Sequence, residues 1–249
     1  MGIRESADRG EGTSGRSLKR CSFRTGWKHY PTRTGWKHYP TVTSWKLIAV
    51  VGLVAVAWAA TPVWAGKFNP TLNIGDKAPE WKELPGVDGK KHSSADLASK
   101  EFVVVVFTCN TCPTAEDYED RIIALTKKVT ADGKGVVVAI NSNKVADDLL
   151  PKMEERAKAK KFNFPYLHDE TQGVAKAFGA TVTPEFFVLN KERKVVYMGA
   201  LDDSTDPAKV QEKYVETAIA ATLAGKAPET TETVARGCLV RFARDRKKK

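Results

Sequence analysis

The most constraining stretch of this chain is Glu101-Phe102-Val103-Val104-Val105-Val106-Phe107, followed at once by Thr108 and then by Cys109-Asn110-Thr111-Cys112-Pro113. A β-branched and aromatic run without polar alternation offers no face to water, so it reads as a strand covered on both sides of a sheet. Beyond it, Tyr118, Ile122, Leu125 and Val129 recur at the spacing of one buried helix face, and Pro113 suits a first helical turn. Asp132-Gly133 supplies the stop. The spacing therefore predicts a helix from Pro113 to about Thr130 and sets both cysteines at a strand-to-helix junction.

A Cys-x-x-Cys pair has three common uses: a redox disulfide, half of a zinc site, or haem attachment. Haem attachment needs His after the second Cys, where this chain has Pro113. A zinc site needs further ligands at close spacing, and Cys238, His92 and His168 are each isolated in the sequence. Redox chemistry remains, with no metal and no cofactor expected. Both histidines read as loop or surface residues.

The thiolate is the reacting form of cysteine, and a helix N-terminus favours it because unpaired N–H groups point at the sulfur. On this reading Cys109 lies beside the positive end of the helix and attacks, and Cys112 resolves. Glu116, Asp117, Glu119 and Asp120 stand in the early turns, and their charge is expected to temper the shift to a moderate one.

The remaining segments supply a sheet. Gly135 to Asn141 is a second buried strand, followed by a charged helix carrying Met153 and Ala157 up to about Lys161. Phe164 to Leu167 is short and extended, Val174 to Phe178 is a short helix ended by Gly179, and Phe186–Leu189 with Lys194–Met198 form a hairpin. Val210 to Leu223 is expected as a closing amphipathic helix. Buried strands interleaved with helices, then a hairpin and a last helix, predict an α/β sandwich with a central mixed sheet over residues 66–225.

Taken in order, Gly75-Asp76-Lys77-Ala78-Pro79, the Asp88-Gly89-Lys90 turn, Phe107 to Pro113, Phe164-Pro165-Tyr166-Leu167 with Asp169, Val182-Thr183-Pro184-Glu185 and Tyr197-Met198-Gly199 resemble the redoxin group of the thioredoxin superfamily. That group includes alkyl hydroperoxide reductase and thiol-specific antioxidant proteins. The resemblance spans about Leu72 to Leu223 and implies a thioredoxin-like three-layer sandwich. It also implies that Pro184 is cis and faces the sulfur pair, with the backbone of Thr183 available to bind an extended substrate. Some members carry a late Gly-Cys, which makes Cys238 a candidate accessory thiol beside the alternative of a free or dimer-forming one. Thr108 stands where thioredoxins usually carry Trp, Asn110-Thr111 replaces their Gly-Pro, and Val103 occupies a position where many bury an acid.

Two mechanisms fit these residues. In one, Cys109 and Cys112 exchange with protein or small-molecule disulfides, served by a reducing or oxidising partner. In the other, a peroxiredoxin-like thiol peroxidase, Cys112 or Cys109 attacks a peroxide; Cys112-Pro113 fits that pattern, but Cys109 takes the place of its upstream Thr. A non-catalytic binding module that keeps the fold is the third reading.

The net charge of +10 does not point to nucleic acid, because it is unevenly placed. Residues 1–65 hold ten Lys or Arg against three Asp or Glu, leaving the rest of the chain with 30 against 27. Leu47 to Ala65 runs 19 residues without a charge, Thr61-Pro62 breaks it, and Val63-Trp64-Ala65 has the small residues of a cleavage site. Residues 42–65 are thus expected to be a signal peptide or, left uncleaved, a membrane anchor, and the domain to be extracytoplasmic and periplasmic, or else secreted or membrane-anchored. Residues 1–41 are an extension holding the repeat RTGWKHYPT twice, too short for a solenoid, with translation expected to begin at Val42. Residues 226–249 read as a basic, solvated tail carrying Cys238.

Overall fold

The computed structural model describes residues 66–243. The expected extension, start site, signal or anchor and the last basic residues lie outside that range. Among the described residues no helix is long and apolar enough to cross a membrane.

In chain order the strands are β1 (Leu84–Pro85), β2 (Lys91–His92), β3 (Phe102–Phe107), β4 (Gly135–Asn141), β5 (Tyr166–His168), β6 (Val182–Thr183), β7 (Glu185–Leu189), β8 (Val195–Gly199) and β9 (Cys238–Leu239). The helices are α1 (Pro113–Thr130), α2 (Leu150–Lys160), α3 (Gly173–Phe178) and α4 (Tyr214–Leu223). The central sheet runs β5-β4-β3-β7-β8. β3, β4 and β5 are parallel, β7 runs antiparallel to β3, and β8 runs antiparallel to β7. This is the expected mixed sheet in an α/β, thioredoxin-like arrangement.

The valine run does what its lack of alternation requires. Phe102, Val104 and Val106 enter one apolar layer with Tyr118, Ile122 and Leu125 of α1, Met153 of α2 and Val215 of α4. Val103, Val105 and Phe107 enter the opposite layer with Trp81, Val174 and Phe178. Val104, Val105 and Val106 are fully buried, and each such side chain contributes roughly 1.5–3 kcal/mol relative to exposure. Gly135, paired with Phe102, has no room for a side chain: a Cβ there would meet the Phe102 ring at 2.2 Å.

The structure departs from expectation at three places. Val210–Lys213 is not helical and α4 starts only at Tyr214. His168 is buried at the end of β5 instead of lying on the surface, and His92 pairs with Asp88 at 3.0 Å. The fold also does not end at Gly225. The Met198 N–H donates to Thr231 O and the Thr233 N–H to Met198 O, after which β9 pairs antiparallel with β6. The Arg241 amide donates to Asn143 Oδ1 and the Ala243 amide to Gln172 Oε1. Residues 231–243 are therefore a strap across the domain, held by main-chain groups.

Candidate active site

β3 ends at Phe107, and the Thr108 amide donates to Ile140 O, so the chain leaves the sheet beside β4. Pro113, fixed at the first helical position, makes Cys112 the N-cap of α1. The sulfur at the positive end of the helix is thus that of Cys112 and not Cys109, contrary to the sequence expectation. Cys112 Sγ accepts from the Ala115 amide at 3.4 Å and from the Cys238 amide at 3.4 Å. In its thiol form it donates to Thr183 O at 3.1 Å. Cys109 Sγ lies 3.3 Å from Thr183 Oγ1. Both residues are buried, packed together with Ala115, whereas Cys238 is exposed.

The two sulfurs are shifted in opposite directions. Burial pushes the Cys112 thiol up, but the Cys238 thiol and the Ala115 and Cys238 amides outweigh it, and the net shift is downward. For Cys109 burial dominates, and the negative charges of Asp148 and Cys112 add to it against the Thr183 hydroxyl, so its pKa is raised. The stabilised thiolate belongs to Cys112. Of the helix acids expected to oppose it, Glu119 bonds Arg156 at 2.7 Å and Glu116 pairs with the same guanidinium. The carboxylate that bears on Cys109 is instead Asp148.

Asp148 is fully buried and was not singled out by sequence. Its Oδ1 accepts from the Asn110 amide at 2.6 Å and the Thr111 amide at 3.2 Å, and its Oδ2 accepts from Thr111 Oγ1 at 2.7 Å and Asn143 Nδ2 at 3.0 Å. Tyr166 Oη donates to Asn110 Oδ1 at 3.0 Å, and burial holds its phenol well above the ordinary value. One carboxylate therefore fixes the two residues between the cysteines. The sequence signal was the polar run Asn141-Ser142-Asn143 closing an apolar strand, since polar groups that deep need partners. His168, paired with Asn141 across β4 and β5, has a buried Nε2 without a hydrogen-bond partner, and burial lowers its pKa against the pull of Glu170 and Asp169.

The Thr183–Pro184 bond is cis. Thr183 touches both sulfurs, its hydroxyl at Cys109 and its carbonyl at Cys112. The backbone edge that the resemblance left open for an extended substrate is not free, however. Thr183 pairs with Cys238 and Val182 with Leu239, and Thr183 Oγ1 donates to Cys238 O at 3.4 Å. Gly237 makes this approach feasible, since a Cβ there would lie 1.9 Å from Thr183 O. Among the described residues no cluster of three or more His, Cys, Asp or Glu is arranged to hold a metal ion.

The redoxin family model matches residues 73–219. An uncharacterized conserved protein from Geobacillus kaustophilus is 30% identical, with a TM-score of 0.65, over 70% of this chain and 95% of its own. A hypothetical protein from Sinorhizobium meliloti is also 30% identical, with a TM-score of 0.64, over 70% of this chain and 97% of its own. No curated protein matches the chain.

Proposed function

The chain belongs to the redoxin family of the thioredoxin superfamily and its function is thiol-based redox chemistry; from that premise we propose that Cys112 and Cys109 are its working pair, with Cys112 as nucleophile. The carrying observation is the Cys112 sulfur at the N-cap of α1, accepting two amides while burial raises the pKa of its neighbour Cys109. A thiolate so placed attacks one sulfur of a disulfide, breaking that bond and releasing the first substrate thiol. Cys109 then attacks Cys112 Sγ, the second substrate thiolate leaves, and the protein ends as a Cys109–Cys112 disulfide while two electrons pass to the substrate.

The raised pKa of Cys109 has a use in this sequence. One of its causes is the charge on Cys112, which disappears once Cys112 enters a mixed disulfide. The resolving thiol therefore becomes easier to ionise at that step. With the β6 edge occupied, the reading favours small disulfides over extended polypeptides.

Peroxide reduction is the second reading, favoured by the Cys112-Pro113 step and the buried thiolate. Here Cys112 attacks the O–O bond and becomes a sulfenic acid as the alcohol or water leaves, and Cys109 condenses with it to release water. Turnover of a small disulfide and of hydrogen peroxide by Cys109→Ser and Cys112→Ser separates the readings. Loss of both activities in Cys112→Ser is expected, and full activity in that variant overturns the assignment. Export belongs to the same proposal, supported by the charge-free run before Ala65; N-terminal sequencing of the protein recovered outside the cytoplasm tests it, with Gly66 expected first.

A further inference from the structure

The pair just described is nearly covered, with Cys109 4% and Cys112 1% exposed, and a redox cycle needs a second reactant to restore it. The strap covers the site in the manner of a bound peptide. β9 adds antiparallel to the two residues that precede and include the contact to both sulfurs, Val182 and Thr183, and the Val240 amide continues the ladder to Thr181 O at 2.9 Å. The Cys238 amide points at Cys112 Sγ. Its residue is exposed, and the adjoining Leu239 is 72% exposed.

We propose that the strap is a built-in substrate strand and that Cys238 is a shuttle thiol, forming a disulfide with Cys112 and carrying the oxidation from the covered pair to a dithiol protein at the surface. This rests on the reading of Cys112 as the nucleophile. In the oxidised protein the Cys238 thiolate attacks Cys112 Sγ; the Cys112–Cys238 bond forms, the Cys109–Cys112 bond breaks, and Cys109 leaves as a thiolate and takes up a proton. A thiolate of the external dithiol then attacks Cys238 Sγ, and Cys112 leaves as its thiolate. The donor's second thiol attacks the donor sulfur held on Cys238, closing the donor disulfide and freeing Cys238. Two electrons have entered the protein and the donor has lost two.

Proton placement agrees with that order. In the reduced protein Cys238 has its pKa raised to about 11 by the neighbouring Cys112 sulfur and by burial. It keeps its proton while Cys112 is anionic. Once Cys112 is locked in a disulfide that anion is gone, and Cys238 is released to attack. The exposed Leu239 gives a protein partner an apolar contact beside the sulfur.

The test uses the full chain with Cys109→Ser, oxidised by one equivalent of glutathione disulfide and mapped by peptide mass spectrometry. An intramolecular Cys112–Cys238 link is expected. A persistent glutathione adduct on Cys112, or a dimer through Cys238, overturns the shuttle. Wild type treated in parallel yields the Cys109–Cys112 disulfide if the underlying reading holds, so the shuttle can fail while that reading stands. A second measurement does not depend on Cys109→Ser folding. Reduction of oxidised Cys238→Ser by a thioredoxin-type dithiol protein is expected to slow about tenfold or more, with a smaller effect for dithiothreitol, which is small enough to reach partly buried sulfur. Equal rates for wild type and Cys238→Ser with the protein donor refute the proposal.

Discussion

The main-chain amide of Cys238 donates to the sulfur of Cys112 at 3.4 Å, across 126 residues of sequence. The thiol of the same residue acts on that sulfur in the same direction, and both groups lower the Cys112 pKa. Replacing Cys238 by Ala keeps the amide and removes the thiol donor. The Cys112 thiolate is then less stabilised, so its pKa rises and a smaller fraction is ionised at neutral pH. A titration of thiolate ultraviolet absorbance on the reduced protein is expected to show the lowest midpoint moving upward in Cys238→Ala.

Gly237→Ala acts on the same contact by steric means. Its Cβ would fall 1.9 Å from Thr183 O, a backbone atom that has no rotamer through which to move away. The strap must lift from β6, exposing a sulfur that is now 1% accessible. Alkylation of Cys112 by iodoacetamide is expected to quicken by about tenfold or more, because reactivity follows access as well as ionisation. Peptide mapping after timed quenching measures it.

Asp148 joins stability to sulfur chemistry. Asp148→Ala strands the amides of Asn110 and Thr111 and the side chains of Thr111 and Asn143, and is expected to cost about 3 kcal/mol or more in urea unfolding. Asp148→Asn keeps the shape and one accepting oxygen but removes the charge that raises Cys109. The Cys109 pKa should fall in that variant. Thiolate titration in a Cys112→Ser, Cys238→Ser background isolates the group, and an unchanged midpoint would show that the charge is not felt there.

Glu185 predicts a pH dependence of stability. Burial raises its pKa against the amides of Thr181 and Val182, which both donate to Oε2. A carboxyl with a raised folded pKa favours the folded state fully below its unfolded pKa, and that advantage is lost as pH climbs from the unfolded value to the folded one. Gln cannot ionise and its Oε1 can accept both amides. Glu185→Gln is therefore expected to gain stability relative to wild type as pH rises through that window, read from unfolding midpoints at successive pH values.

The parts of this protein legible in its sequence are those set by neighbours along the chain. The valine run, the face of α1 and the β7–β8 hairpin each declare themselves within a few residues. The identity of the capped sulfur was also written there, because Pro113 at the first helical position makes the residue before it the cap. Asp148 was hidden: an acid in a polar stretch resembles any surface acid until the fold surrounds it with five donors from the end of β4 and from the loops after β3 and β4. The strap was least legible. Its partner β6 is two residues long and lies 55 residues away from Cys238 at Thr183, and short pairings of that range leave no periodicity to detect.

β3 divides its side chains between two separate apolar layers and then runs straight into Thr108 and Cys109. The sulfurs thus share a single foundation with both halves of the interior. A methyl group gained or lost at Val104 or Val105, on opposite sides of the sheet, would tilt the same short stem, so the reacting atoms inherit the tolerance of the less forgiving side.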